Sequence, residues 1–403
     1  MKQTNVLNRF IKIYKDALDD TKIGLIIGAG VTHDSKVPTY SDFALKAFLS
    51  AYDSPDNLSF KESIKPEVRS YISNQLHLST ERREVEPDEV FLLTKLNFRQ
   101  DLESGSEEWN REWTRFCATQ LYKDCIGLTD WRVKKTLYDK NHTLNALITF
   151  CAASHEDLPE PWKTQLQSSR GFRGVGINPR IGGVLTTNYD SLFEAAFNHK
   201  YTRSKGRSYG MRPRLEGSDT TFKFDRLPVE HIHGYLSHNI NQYKDRQDDK
   251  NRLTDFVSTE TDYFRAFYES MRFGNYTAMS FLDNHHTLFV GCSMEDQNIR
   301  RFLFHLRNAT DANTEKFAML KNSCKAHHNR SEDRCKIEDG TFSPGWLGPR
   351  CLTPRDLYYE EVLATYGVSV IWLCEYWDIH CLLKYIYEEA GGNWEYVYGY
   401  KRH

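Results

Sequence analysis

Short apolar runs alternate with amphipathic segments along much of the chain. The runs typical of buried strands are 23–27, 182–187, 229–233, 287–291, 316–320 and 368–373. Apolar residues at helical spacing follow several of them, at 191–197, 296–307 and 378–389. Strands that alternate with helices build parallel sheets with right-handed crossovers. We therefore predict an α/β fold with a Rossmann-like parallel sheet.

The segments between these runs indicate how the chain is divided. Near the start, Leu7, Phe10, Ile11, Tyr14 and Leu18 have the spacing of an amphipathic helix. Residues 41–170 show charged, helix-like patterns and no convincing strand, with helices expected at 42–51, 88–98, 107–121 and 134–153. We predict an N-terminal helix over 1–22, a core over 23–40 and 171–403, and a helical insertion over 41–170. The polar stretches 239–252 and 322–354 are predicted to be surface loops.

Composition narrows the classes of function. With 39% hydrophobic and 27% charged residues, the chain has the profile of a soluble globular protein. A net charge of -2 gives no global attraction to nucleic acid. Nine cysteines without a C-x-x-C pair favour reduced thiols. No apolar run reaches the roughly 18 residues that span a bilayer, and the start lacks a signal-peptide pattern, so we expect a cytoplasmic protein.

Two motifs lie where the first two core strands end. Gly28-Ala29-Gly30, with Thr32 after it, can turn tightly and bring main-chain N–H groups close to a phosphate, although His33 breaks the full dinucleotide fingerprint. Thr187, Asn188 and Asp190 follow the second strand. An asparagine carboxamide both donates and accepts, so Asn188 could hold a sugar hydroxyl and an attacking water. The structural alternative is that Asp190 caps the next helix.

Histidines mark the end of the third strand, in His231-Ile232-His233-Gly234. The alternation predicts that both imidazoles share one face of the strand. His233 lies beside a glycine that leaves room for a substrate, so it is the candidate functional histidine, whereas His231 fits a buried, hydrogen-bonded side chain. No spacing rule supplies a third metal ligand, and we predict no metal site.

A second nucleotide-contacting loop is predicted after the fourth strand. Gly291 and Ser293 are followed by Asp296 and Asn298 at the start of a helix. Ser293 could bind a ribose or phosphate oxygen, or cap the helix instead. Cys292 has no base nearby in the sequence and is expected to be inert. A basic segment, Lys200 to Leu215, could attract phosphates or be a solvated loop.

Parallel sheets bind ligands beyond the carboxyl ends of their strands, which is where all four motifs fall. Their order resembles the sirtuin superfamily, and within it the bacterial defence-associated branch of sirtuin-like NAD+-consuming proteins, HerA-associated type. The residues that carry this resemblance are Gly28, Ala29, Gly30, Thr32, Pro38, Thr186, Asn188, Asp190, His233, Gly234, Gly291, Cys292, Ser293, Asp296, Asn298 and the acidic stretch 258–263. It covers about 23–38 and 182–306, and more loosely 356–386.

The resemblance implies cleavage of the nicotinamide–ribose bond of NAD+ through an oxocarbenium-like state. It makes Asn188 and His233 the catalytic pair, Asn188 for water and His233 for a ribose hydroxyl or as general base. Gly28, Ala29, Gly30, Thr32, Thr187, Asp190, Gly291, Ser293, Asp296 and Asn298 are the residues expected to bind the nucleotide. Protein-deacylating sirtuins carry a zinc module with two C-x-x-C pairs, which this sequence lacks, so water is the expected acceptor.

Two alternatives remain open at the level of sequence. One is a deacylase or ADP-ribosyltransferase with the same nucleotide pocket and a protein acceptor. The other is a nucleotide-gated subunit of a complex that acts on nucleic acid. The family branch further implies antiphage defence by abortive infection, a homo-oligomer, and a HerA-type ATPase as partner, with an Argonaute-like partner as second choice. DNA could then be reached through the partner or the basic segment, and no membrane is involved.

Overall fold

The computed structural model describes residues 2–18, 21–32, 35, 37–54, 58–76, 85–104, 106–125, 142–154, 175–201, 212–213, 227–236, 273–308, 313–323, 352–376 and 378–399. The strands formed by these residues are β1 (Ile23–Ile27), β2 (Ala152–Ser154), β3 (Val175–Ile177), β4 (Ile181–Thr186), β5 (Arg212–Pro213), β6 (Pro228–His231), β7 (His286–Val290), β8 (Lys316–Lys321) and β9 (Val368–Leu373).

The α-helices of the same residues are α1 (Lys2–Asp16), α2 (Tyr40–Asp53), α3 (Leu58–Ser63), α4 (Pro66–Leu76), α5 (Pro87–Asn97), α6 (Glu107–Tyr122), α7 (His142–Phe150), α8 (Leu192–Tyr201), α9 (Phe273–Asn284), α10 (Gln297–Asn308), α11 (Pro354–Thr365), α12 (Asp378–Glu389) and α13 (Trp394–Tyr398). A 3-10 turn, Ala29–Val31, follows β1.

Seven strands form one parallel sheet, in the order β5-β6-β4-β1-β7-β8-β9. Strand β1 lies in the middle, and the chain builds outward from it first through β4 and β6 and then, on the other side, through β7, β8 and β9. The order therefore reverses between β1 and β7, which is the point where doubly wound sheets place their ligand crevice. The predicted Rossmann-like α/β fold is confirmed.

Helices cover both faces of this sheet because its strands are apolar on both sides. In β1, Leu25 and Ile27 belong to one buried cluster and Ile26 to another. The first cluster includes side chains of α1, α7, α8 and α12. The second includes side chains of α9, α10 and α11. A strand buried on both faces accepts only apolar side chains, which explains why the sequence patterns of the core strands were so clear.

Helix α2 joins the sheet core to a smaller cluster. Its Phe43 and Ala47 lie in the first core cluster, whereas Phe48 packs with Phe60 of α3 and with residues of α4 and α5. Thr39 is the N-cap of this helix, and its side chain accepts a hydrogen bond from the Asp42 N–H. Residues of α5, α6 and α7 also belong to the first core cluster, so the helices of 41–170 pack on the sheet core at several points and not through α2 alone.

The structure corrects three details of the sequence interpretation. Residues 41–170 do contain a strand, β2, which pairs antiparallel with β3 outside the main sheet. Strand β6 ends at His231, two residues earlier than predicted. Helices α3, α4, α9, α11 and α13 were not predicted; α11 carries a capping box, in which the Thr353 and Asp356 side chains bond each other's main chain. Residues 239–252, 258–263 and 324–351, and most of the basic segment, lie outside the described residues.

None of the helices in the described ranges is long and apolar enough to cross a membrane.

Candidate functional site

The four sequence motifs meet at one edge of the sheet. Strands β6, β4, β1 and β7 are neighbours, and each motif follows the carboxyl end of one of them. Direct contacts join the loops: the Thr187 N–H donates to the Ile27 carbonyl oxygen (3.1 Å), and the Ile232 N–H donates to the Thr186 carbonyl oxygen (3.1 Å). The four motifs therefore lie together at the carboxyl ends of neighbouring strands, on both sides of the point between β1 and β7 where the strand order reverses.

Three glycines hold the β1 and β7 loops in contact. The N–H groups of Gly28 and Gly30 donate to the carbonyl oxygens of Val290 and Gly291, both at 3.0 Å. Gly291 has a φ of +67°, and a Cβ built there would lie 2.7 Å from the Val31 nitrogen. The glycines are thus required by loop packing, and two of the amides expected to face a phosphate are already used. The exposed Ala29 N–H has no acceptor among the described residues.

Asp190 ties the β4 loop to the β1 loop and to α8. Its Oδ2 accepts from the buried Thr32 hydroxyl (3.3 Å), and its Oδ1 accepts from the Leu192 N–H (3.0 Å) at the start of α8. Burial raises the pKa of Asp190 to about 6, and these hydrogen bonds offset the effect only in part. One side chain therefore both accepts a hydrogen bond at the start of α8 and links the β4 loop to the β1 loop.

The raised pKa of Asp190 predicts a pH-dependent stability. Between about pH 4 and pH 6 the folded protein binds more protons at this carboxyl than the unfolded chain does, so the free energy of unfolding falls as pH rises through that window. Asp190→Asn removes this loss, which amounts to roughly 3 kcal/mol above the window, and keeps the acceptor for the Leu192 N–H.

Denaturant unfolding of both proteins across the window measures the effect. The stability difference between Asp190→Asn and wild type should grow in favour of the variant as pH rises and then level off. Asp190 also helps to raise the pKa of His231, so the difference reports the titration of the two groups together. A difference that stays constant with pH would contradict the raised pKa of Asp190.

Asn188 is buried, and its main chain is held on both sides. Its N–H donates to the Thr186 hydroxyl (2.9 Å), and its carbonyl oxygen lies 2.9 Å from Nδ1 of His231. Its carboxamide makes no hydrogen bond to any of the described residues. An amide with unused donors and acceptors at the sheet edge can bind a water molecule or a ribose hydroxyl.

Only the first of the two histidines lies in β6, so the strand alternation behind the prediction does not extend to the second. His231, the last residue of β6, contacts Glu194 of α8. The chain then turns, and His233 contacts Asp296, the residue before α10. The turn includes Gly234, whose φ of +88° lies in the left-handed region. The His231 side chain is buried and has a hydrogen-bond partner at each ring nitrogen, in line with the structural role expected for it.

His233 and Asp296 form a dyad in which the imidazole is buried and the carboxylate is half-buried. Nε2 of His233 lies 2.7 Å from Oδ2 of Asp296, while Oδ1 accepts from the N–H groups of Asn298 (2.8 Å) and Ile299 (3.2 Å). Burial opposes the charge on Asp296, but the His233 contact and these amides together hold its pKa below the ordinary value. Asp296 is therefore a carboxylate at neutral pH, and the proton between the two groups resides on Nε2 of His233.

The remaining candidates of the β7 loop have structural partners. The Ser293 hydroxyl accepts from the Glu295 N–H (3.3 Å), whereas Asp296 provides the cap of α10, so Ser293 is not the helix cap. Burial raises the pKa of the Cys292 thiol to about 12, which agrees with an inert cysteine. Met294 adopts a φ of +60°, and its carbonyl oxygen accepts from Nε of Arg300 (2.6 Å).

Two tyrosines near the site had no signal in the sequence. The fully buried Tyr122 hydroxyl of α6 donates to the Leu236 carbonyl oxygen (2.6 Å) and accepts from the Ser191 N–H (2.8 Å). It thereby links the segment after the histidines to the segment after Asp190. The ring of Tyr189 lies 6.4 Å from that of His233 and 6.2 Å from that of Tyr40 in α2. Such contacts between distant segments leave no local motif.

Residues 182–339 match the family model of the SIR2-like domain. This SIR2-like segment contains Asn188, Asp190, His233 and the β7 loop, whereas Gly28 to Thr32 precede it. The match supports the sirtuin-like superfamily, whose SIR2-like domains bind NAD+. No curated protein matches the chain. Among the described residues, no group of three or more His, Cys, Asp or Glu side chains is placed to hold a metal ion.

Proposed function

We propose that this protein is an NAD+ glycohydrolase, which hydrolyses NAD+ with one water molecule to nicotinamide, ADP-ribose and a proton. The observation that carries the proposal is the placement of Asn188 and His233 on the loops after two neighbouring strands, β4 and β6. Both loops lie in the SIR2-like segment, beside the glycine contact between the β1 and β7 loops.

Each of the two residues has the chemistry that the reaction needs. Breaking the nicotinamide–ribose bond leaves positive charge on the ribose, and water must then attack at the carbon that held nicotinamide. The Asn188 carboxamide holds that water. His233, whose tautomer is set by the Asp296 carboxylate, has its lone pair on Nδ1 when neutral and so can accept a proton from a ribose hydroxyl or from water.

Four other groups support substrate binding in this proposal. The exposed Ala29 N–H and the Ser293 hydroxyl contact the pyrophosphate and ribose, next to the glycine contact. Asp190 and Thr32, which form a hydrogen bond with each other, are assigned to the nicotinamide side in this proposal. The lack of C-x-x-C pairs in the sequence favours water over acyl-lysine as the acceptor.

Product analysis tests the reaction. The purified chain is incubated with NAD+, and the products are identified by liquid chromatography and mass spectrometry. We expect equal amounts of nicotinamide and free ADP-ribose without any peptide present. Turnover that requires an acylated peptide, or ADP-ribose that stays attached to protein, would replace hydrolysis by deacylation or ADP-ribosyl transfer.

We further propose that the reaction serves antiphage defence through NAD+ depletion, in a homo-oligomer that works with a HerA-type ATPase. The support is the resemblance of the motif set to the defence-associated branch. Turnover is measured with the chain alone, with such an ATPase, and with the ATPase and DNA. An increase that depends on the ATPase supports the partnership, whereas equal rates in all three reactions exclude activation by it.

A further inference from the structure

His231 lies directly beneath the Asn188 loop. Its side chain is 3% exposed, and that of Glu194, its partner in α8, is 5% exposed. Nδ1 lies 2.9 Å from the Asn188 carbonyl oxygen, and Nε2 lies 2.6 Å from Oε1 of Glu194. A single imidazole thus connects the Glu194 side chain of α8 to the main chain of Asn188, the residue proposed to hold water.

The partners determine where the protons are. A carbonyl oxygen can only accept a hydrogen bond, so Nδ1 of His231 carries a proton. Nε2 then either donates to the Glu194 carboxylate or accepts from its protonated form. Burial opposes a charged imidazole, but Glu194, the Asn188 carbonyl and Asp190 together hold the pKa of His231 above its ordinary value. The Tyr235 ring packs edge-on against the imidazole at 4.9 Å.

These contacts hold the main chain of Asn188 on both sides of its Cα atom. The Asn188 N–H donates to the Thr186 hydroxyl, and the Asn188 carbonyl oxygen accepts from Nδ1 of His231. The carboxamide has no partner among the described residues. We propose that His231, held by Glu194, is the positioning residue that sets the Asn188 carboxamide for water attack. The inference rests on the proposed NAD+ hydrolysis and assigns its geometry to a buried pair that does not touch the substrate.

Variants of His231 can separate its two contacts. They are made in a Glu194→Gln background, which leaves no unpaired charge buried and still allows Nδ1–H to reach Asn188. In that background, His231→Asn keeps a donor near the position of Nδ1 but is too short to reach residue 194. His231→Gln reaches residue 194 but has no donor toward the Asn188 carbonyl.

The kinetic result expected is a difference between these two variants in kcat. The variant with His231→Gln should lose about 100-fold in kcat, because a misplaced reacting group costs that order of rate, with little change in KM. The variant with His231→Asn, and Glu194→Gln alone, should stay within about 10-fold of wild type. Equal losses in the two double variants, no loss in either, or a loss seen only in KM would overturn the proposal.

A spectroscopic readout does not depend on turnover or on the double variants. In wild-type protein labelled with nitrogen-15 histidine, one ring should respond to Glu194→Gln, and its Nδ1 should carry a proton in both proteins. If that ring carries its only proton on Nε2, His231 does not hold Asn188 and the inference fails. If wild type releases no nicotinamide, the proposed function fails instead, and the spectrum still decides the role of His231.

Discussion

Asn188→Ala and His233→Ala should each abolish NAD+ cleavage while leaving the fold intact. Each substitution removes one of the two groups proposed to act on water and ribose, and general acid–base groups contribute on the order of 100-fold or more to rate. In Asn188→Ala the main chain of residue 188 keeps its hydrogen bonds to Thr186 and His231, so the loop keeps its position. Nicotinamide release measures activity, and circular dichroism with thermal unfolding measures the fold.

Matched controls exist at the opposite end of the molecule. Asn284 ends α9, just before β7 begins, and His305 lies in the last turn of α10. Both are exposed. Asn284→Ala and His305→Ala should retain wild-type turnover. Retained turnover in both Asn188→Ala and His233→Ala would remove the assignment of a sirtuin-like catalytic pair.

Gly291→Ala should cause a large loss of both stability and NAD+ binding. A Cβ at this position lies 2.7 Å from the Val31 nitrogen and 2.9 Å from Cγ2 of Val31, and the φ of +67° is unfavourable for alanine. Relief of the clash separates the β7 loop from the turn after β1. We expect the free energy of unfolding to fall by about 2–5 kcal/mol, from the strained φ together with overpacking.

Gly367→Ala is the control that isolates the loop contact. Gly367 has a similar φ, +76°, but a Cβ built there meets no atom within 4 Å. It should lose only the conformational part, about 1–2 kcal/mol, and should bind NAD+ as wild type does. Denaturant unfolding and calorimetric titration with NAD+ compare the two variants. Equal losses of stability and equal affinities would mean that the close approach at Gly291 has no role in the site.

Core strands were predictable because burial on both faces leaves an unmistakable record in the sequence. Strand β9 was predicted with the bounds that the structure has, as was α12. Helix α1 was found from Leu7, Phe10 and Tyr14, which are fully buried. Prediction failed where the pattern was short or weak, as for α3 and for β2, whose three residues pair with β3 and with no other described strand.

The end of β6 shows the limit of the alternation argument used for the two histidines. Alternation along a strand places residues two apart on the same side, but it says nothing of where the strand ends. The chain leaves the sheet after His231, and Gly234 allows the turn that carries His233 toward Asp296. Asp296 was predicted from its motif to bind the nucleotide. In the structure, its Oδ2 contacts His233 and its Oδ1 accepts from the main chain at the start of α10.

By itself the sequence determined the class of fold, six of the seven strands of the sheet, and the carboxyl edge at which the chemical groups gather. Those features depend on local spacing, because a buried strand or helix face requires apolar residues at regular positions in the sequence. Only the tertiary structure decided which groups are partners. Asp296 bonds His233, and Glu194 bonds His231, which in turn bonds the main chain of Asn188. Tyr122 links two loops, and the glycines after β1 bond the main chain after β7. These pairs join segments far apart in the chain, and their hydrogen bonds depend on distances that no local pattern records.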